Sequence, residues 1–330
     1  MKKKRVLSMF LVLGLIVSLT ACGSQGGTAD TYPNKPITLY VAAAAGSAMD
    51  TCLRPLMPYL KEELGVEISV TNIAGAGGWT CYADVLNKAT DGYTITTFAN
   101  SNFYGIYNPT MKIDGDLNDW TMLANAVSDP NALYTNKDSE VQTLEQFIDY
   151  CTTHDDVLIG TSSIGFDDHT AYLKMASAIP GMLDHTTALP ASDMTEVIAN
   201  QLGGFQDFMV ANVGDYNKVK DSMNIICVFD EERSPMVPDV PTFNELAKEL
   251  GLDATVVNQT NRGYMMKAGA DQATVDRLIE AFEKAMANPE YQAELEGMYY
   301  QYNGVVGADC DQMIADDIEA FKEVIPLFEN

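Results

Sequence analysis

The stretch Ile37-Thr-Leu-Tyr-Val41, running on into Ala42-Ala-Ala-Ala-Gly-Ser-Ala-Met-Asp50, decides how the chain is read. Five strand-forming residues enter a loop of small side chains. Residues 51–64 then place Leu53, Leu56, Met57, Leu60 and Leu64 at helical spacing, closed by Gly65. Apolar residues three and four apart share one face of a helix, and glycine adopts the left-handed conformation that ends it. The unit repeats at once. Val66-Glu-Ile-Ser-Val-Thr-Asn-Ile73 reads as a strand, Ala74-Gly-Ala-Gly-Gly78 as its loop and residues 79–89 as its helix, with a third strand over 93–99 after Asp91-Gly92. Strands alternating with helices imply a parallel sheet. Ligands bind such sheets beyond the carboxyl ends of the strands, where both loops lie. Small residues there let backbone N–H groups approach a ligand closely, and a helix N-terminus favours an anion.

Further along, strands over 123–134, 157–160, 205–211 and 224–229 interleave with helices over 143–152, 169–178 and 194–202, which reads as a second α/β domain. A strand-like stretch from residue 255 leads into helices over 273–287, 289–299 and 309–327, assigned by their position to the first domain. The chain thus crosses twice, near 125–135 and 253–262. Domain I is expected to comprise 32–128 plus 258–330 and domain II 129–257, joined by a hinge. There is no internal repeat or low-complexity segment.

The N-terminus carries a different message. Met1-Lys-Lys-Lys-Arg5 holds four of the twenty bases, a mostly apolar run over 6–19 follows, and Leu19-Thr20-Ala21-Cys22 matches a lipobox. Residues 1–21 are therefore expected to be a lipoprotein signal peptide, Cys22 the lipidated residue and 22–31 a flexible tether. The expected location is extracytoplasmic, anchored to the bacterial cell membrane through Cys22. The whole chain carries −26 at pH 7. Residues 1–21 hold no acid, so the remainder has 16 bases against 46 acids, a net charge of −30. That charge excludes nucleic acid and polybasic adhesion to anionic lipid. With Cys22 lipidated, five cysteines remain, an odd number. Cys52 and Cys81 open successive helices, but right-handed crossovers with strand order 2-1-3 put those helices on opposite faces, so no bond between them is expected.

Catalytic and metal signatures fall short. Thr161-Ser-Ser163-Ile-Gly165 has threonine where the G-x-S-x-G elbow needs its first glycine, and His154, His169 and His185 offer no placed base. Gly75-Ala-Gly77-Gly-Trp-Thr80 lacks the last glycine of a dinucleotide fingerprint. The histidines lie 15 and 16 residues apart, no cysteine pair has ligand spacing, and Asp114-Gly-Asp116 and Asp167-Asp168 lack the calcium-loop pattern and read as surface acids. No cofactor, no metal and no catalytic residue are expected.

An ordered set of short motifs carries a family resemblance. It comprises Tyr32-Pro-Asn-Lys-Pro-Ile37, the loop ending in Asp50, Gly75-Ala-Gly-Gly78 and Asp91-Gly-Tyr93. It continues with Gly160-Thr-Ser-Ser163 and His169, Gln201-Leu-Gly-Gly204 and Asp207, and Arg233-Ser-Pro with Val237-Pro-Asp-Val-Pro-Thr242. Over residues 32–330 the chain resembles the substrate-binding proteins of the tripartite tricarboxylate transporter family, also called Bug proteins. The resemblance implies a type II periplasmic-binding-protein fold, two α/β domains joined by a hinge with the ligand cleft between them. It further implies a monomer that captures a small organic anion and delivers it to membrane permease subunits. A ligand-sensing lipoprotein that presents its closed form to a signalling receptor is the alternative, and an exported hydrolase a more distant one.

Carried onto matching positions, the resemblance implies donors from Ala45, Gly46, Ser47 and Ala48, an opposing arm of Gly75, Ala76, Gly77 and Gly78, and a contact from Ser101. Domain II would add Thr161, Ser162, Ser163 and Asn212. Asp50 has two readings, receiver of a ligand amino group or helix cap. His169 likewise reads as a structural histidine or a ligand contact. The chain departs from the family at Ala42-Ala43 and Ser47-Ala48, and at Asn261-Arg262-Gly263, where an aromatic residue often precedes the glycine. Arg262 reads either as a bidentate partner for a second ligand carboxylate or as a surface charge paired with one of many acids.

Overall fold

The computed structural model describes residues 32–108, 111 and 113–329. The expected signal peptide, Cys22 and most of the tether lie outside the described residues. Residues 35–330 form one compact unit. Its ten strands are β1 (Ile37–Val41), β2 (Ile68–Asn72), β3 (Thr94–Ala99), β4 (Trp120–Asn136), β5 (Val157–Thr161), β6 (Thr186–Pro190), β7 (Phe208–Asn212), β8 (Met223–Val228), β9 (Gln259–Lys267) and β10 (Tyr302–Val306). They follow the order β2-β1-β3-β9-β4-β7-β5-β6, with β8 and β10 also on β4. This is the doubly wound α/β arrangement of the type II periplasmic-binding-protein fold, and β2-β1-β3 is the order assumed from the two opening units.

The first parallel units form because Ile37, Leu39 and Val41 alternate into the core while β2 keeps the half-exposed pattern of an edge. The helix expected over 51–64 instead starts earlier and breaks. Ser47 caps the helix Ala48–Leu53 by accepting the Asp50 N–H at 3.3 Å, a 3₁₀ turn follows at Arg54–Leu56, and Met57–Leu64 completes the run before Gly65 at φ 68°. Pro55 and Pro58 cause the break, since proline has no N–H and sits comfortably only in the first turn of a helix.

β4 is the largest departure from expectation, 17 residues where twelve were read. Trp120–Pro130 pairs with β9, and Asn131–Asn136 with β7 and β8, so one strand belongs to both halves of the sheet. All but two of its residues are buried, so it carries no polar alternation to mark its ends. A bulge near Ala124 brings the carbonyl of that residue so close to Gly263 that a Cβ there would lie 2.0 Å from it, which only glycine permits. The strands β6 and β10 and the helix Asn100–Tyr107 escaped the sequence reading because they are short and carry no clear periodicity.

The helix Gln272–Met286 packs on Met57–Leu64 and β4, and Gly307–Val324 packs on β4 and Asn100–Tyr107. Stacking of Tyr104 on Phe321 at 4.1 Å fixes the latter contact, worth about 0.5–1.5 kcal/mol beyond burial. The second half has its own core, built from residues such as Phe147, Ile159, Met175, Phe208, Phe229 and Phe243. Cys52, Cys81, Cys151, Cys227 and Cys310 are buried free thiols. The Cys52 thiol points to the Met49 carbonyl and that of Cys81 to Thr96, and burial pushes the Cys52 thiol up to about 12. Among the described residues no helix is long and apolar enough to cross a membrane.

Candidate functional site

The loop after β1 holds its shape through Asp50, which is 5% exposed. The Gly46 N–H donates to Asp50 Oδ2 at 2.9 Å, Arg54 Nε to Oδ1 at 3.1 Å and Asn72 Nδ2 to Oδ1 at 3.1 Å. Burial alone would raise this carboxyl, yet the bonds from Arg54, Gly46 and Asn72 outweigh it and hold the group below the usual range. The Asp50 carboxylate therefore ties down the loop from behind, and the capping oxygen is that of Ser47. Gly46, at φ 78°, makes the turn. The Ser47 N–H closes on the Ala44 carbonyl, whereas neither Ala45 nor Ala48 uses its N–H in the bonds that close the loop.

Facing this loop is a cavity of about 520 Å³. The first half of the sheet contributes residues 44–48 and the Arg262 side chain from β9. The second contributes Ser162, Ser163, Phe166, Asp167 and Asp168 after β5, residues 192–195 at the start of the helix Met194–Leu202, and Asn212, Asp215 and Lys218 at and beyond the end of β7. Thus the structure brings Ala45, Gly46, Ser47, Ala48, Ser162, Ser163, Asn212 and Arg262 to one wall system. Asp50, Gly75, Ala76, Gly77, Gly78, Ser101, Thr161 and His169 are not on it.

The reasons are local. Gly77 lies against Phe166, whose Cζ would be 2.6 Å from a Cβ at that position, so the glycine arm meets an aromatic ring of the opposite half. The Gly77 carbonyl accepts Asn102 Nδ2 at 2.9 Å. Ser101 is buried in the first turn of Asn100–Tyr107, and Thr161 is fully buried at the end of β5. His169 Nδ1 accepts the Gly165 N–H at 3.1 Å, and burial depresses the imidazole to about 4. Its role here is to hold the loop that carries Phe166.

Arg262 is neither a surface charge nor open to a ligand on every side. It is 6% exposed, with Nη1 donating to Asp129 Oδ2 at 2.9 Å and Nη2 to Asn212 Oδ1 at 3.0 Å. Burial pushes Asp129 up to about 6, with Arg262 and the Gly214 N–H pulling the other way, so Asp129 is ionised at neutral pH. The Asn212 amide in turn donates to the Asp129 carbonyl at 3.0 Å and to Thr260 Oγ1 at 2.8 Å. Ser162 gives its N–H, and its hydroxyl at 2.9 Å, to Asp168. Asp167 and Asp168, read as surface acids, line the cavity instead, and Asp168 is 1% exposed. Phe166, Asp193 and Lys218 were missed. The Gly165-Phe166 turn before a helix and the Asp193-x-x-Glu196 capping pattern were local signals for two of them.

A polar cavity lying beyond strand ends in both halves of one doubly wound sheet, with a capped small-residue loop on one side, defines the solute-binding proteins of the type II periplasmic class. The chain belongs to the TctC family, the tripartite tricarboxylate transporter family receptors, whose sequence model matches residues 53–328. It is 28% identical over 303 residues to a protein encoded 5′ of gbd in Cupriavidus necator, covering 90% of this chain and 88% of that one. It is 27% identical to BugT of Bordetella pertussis, covering 96% of each. Among solved structures it resembles a TctC solute-binding protein from Polaromonas (TM-score 0.73, 23% identity, 90% and 99% of the two chains). It also resembles MatC of Rhodopseudomonas palustris, solved with malate (TM-score 0.72, 22% identity, 89% and 100% of the two chains).

Proposed function

We propose that the chain is a non-catalytic extracytoplasmic receptor that captures a small carboxylate in the 520 Å³ cavity and delivers it to a tripartite tricarboxylate-type permease. The observation that carries this reading is the convergence of the loop 44–48 with Ser163 and Arg262 on one cavity. N–H dipoles and hydroxyls hold an anion without needing a net positive wall, which suits so acidic a chain. The malate of MatC and the adipate of another R. palustris relative are ligands of the same chemistry. Capture proceeds by closure of domain I, 32–128 plus 258–330, on domain II, 129–257. The change of partner along β4 between Pro130 and Asn131 supports a hinge there. Membrane attachment is through lipid on Cys22, and the protein acts as a monomer.

A thermal-shift screen against di- and tricarboxylates, amino acids and aromatic acids tests the reading. A ligand at a hundred times its Kd stabilises the folded state by about 2.7 kcal/mol, a rise of several degrees in Tm. Stabilisation by at least one carboxylate is expected. No stabilisation by any small anion, with turnover of a substrate instead, would sink the proposal.

A further inference from the structure

Among the described residues that line the cavity, Phe166 is the one aromatic ring, set in a wall otherwise made of small, polar and charged residues and Met194. The ring does not end at the cavity. Its tip crosses to the other half of the sheet and presses on Gly77, where Cζ would lie 2.6 Å and Cε1 3.3 Å from a Cβ. Behind that contact the Gly78 and Thr80 N–H groups close the glycine turn on the Gly75 carbonyl at 3.0 and 3.4 Å, and neither Ala76 nor Gly77 gives its N–H to those bonds. Phe166 therefore stands between the cavity and a second stretch of donor-bearing backbone, residues 75–78, none of which lines the cavity.

The loop holds the ring in place from both sides. The Phe166 N–H donates to the Ser163 carbonyl at 3.4 Å, and the Phe166 carbonyl accepts the Thr170 N–H at 2.9 Å. Gly165, at φ 82°, gives its N–H to His169 Nδ1 at 3.1 Å, and the Asn108 amide from the first half fills the space that a Cβ on Gly165 would need. The Ser162 hydroxyl fixes the base of the loop on Asp168 at 2.9 Å. A ring carried on so anchored a backbone acts as a fixed wall.

Resting on the carboxylate-capture reading, we infer that Phe166 sets the size of the ligand: the receptor takes a compact carboxylate seated on the loop 44–48 whose body stops at this ring. A longer chain in the same seat has to push into a side chain already packed on Gly77, and close-packed side chains yield poorly. A polar end group that reaches the ring meets a C–H edge and goes unpaired. Cutting the ring back removes both obstacles and opens the way to the glycine turn. One methylene more or less in an apolar pocket changes discrimination by about 10- to 200-fold, which sets the scale of the expected effect.

Calorimetric titration with homologous series tests this: acetate to octanoate with their 2-amino counterparts, malonate to suberate, and benzoate to 4-phenylbutyrate. In the series that binds, the parent's affinity is expected to fall tenfold or more beyond one chain length. Phe166→Ala should move that limit at least one methylene longer, raising the ratio of long-chain to short-chain affinity tenfold or more. Phe166→Leu, which keeps an apolar side chain on the loop, should raise the same ratio by less, and reads the shift if the alanine variant fails to fold by circular dichroism. The ratio separates a size limit from a role in holding the two halves together, which would weaken every member equally. Uniform weakening, or a limit that stays where it is in a folded variant, overturns the inference while leaving carboxylate capture standing. Binding by no member of any series overturns both.

Discussion

Acidification should loosen the cavity loop through one residue, His169. Its ring is buried beside Tyr172 and Phe328, and Nδ1 accepts the Gly165 N–H, a bond that exists only while that nitrogen is unprotonated. Burial holds the imidazole down to about 4, whereas an unfolded chain titrates near 6.5. A depressed folded value means that the stabilisation is fully present above about pH 6.5 and is lost as pH falls toward 4, because the unfolded state takes up the proton first. Between pH 7.5 and 5.0 the linkage amounts to about 2 kcal/mol at about 1.36 kcal/mol per unit. His169→Gln retains a side chain that can accept the Gly165 bond but cannot titrate. Urea unfolding of both proteins at the two pH values isolates the term. Acids such as Asp168, whose raised pKa works in the opposite direction, are common to both proteins and largely cancel. The stability advantage of the parent over the variant should shrink by about 2 kcal/mol on going to pH 5.0. A difference that stays constant with pH would refute the buried, neutral assignment of His169.

Other consequences follow from the same geometry. Gly77→Val forces a side chain into left-handed backbone at φ 60° and into Phe166, so carboxylate affinity should fall at least tenfold with the circular dichroism spectrum intact; unchanged affinity would free the glycine arm from any role in the cleft. Asp50→Ala removes the acceptor shared by Gly46, Arg54 and Asn72, and should cost about 1–3 kcal/mol in urea unfolding as well as weakening binding. If affinity is unaltered, the loop does not depend on that carboxylate for its shape. Asp129→Ala leaves the Arg262 charge buried without its partner and should destabilise by about 3–5 kcal/mol, read by chemical denaturation. A loss below 1 kcal/mol would show that water or another acid replaces Asp129.

The legible part of the fold was the part governed by local pattern. Alternation at Ile37, Leu39 and Val41, helical spacing at Leu53, Leu56 and Leu60, and small-residue loops after strands are short-range signals, and they yielded the parallel units and their order. What escaped depends on contacts far apart in sequence. β4 is buried from end to end, so its length and double membership appear only when β7, β8 and β9 are in place. The helix break at Pro55 and Pro58 is written in the two prolines, but it competes with a leucine spacing that runs through it unbroken.

The site divides in the same way. The loop 45–48 was legible because small residues follow a strand, whereas Ser162, Ser163 and Asn212 were reached only through the family resemblance. Arg262 could be marked as unusual, but its partner Asp129 lies 133 residues away and is defined only by tertiary burial. Asp167 and Asp168 look like solvated surface acids in sequence, since acids at a helix start ordinarily are. Their place on a cavity wall depends on the loop 163–166 folding against Gly77 from the other half of the sheet.

The central claim is that the cavity takes up a small carboxylate. Native mass spectrometry of the protein purified with the ligand it acquires in the cell, followed by release and identification of that ligand, tests it most directly. The account predicts a single adduct of a few tens to a few hundred daltons that bears a carboxylate and exchanges on addition of the same compound. A released ligand without a carboxylate, such as a nucleoside, would contradict it.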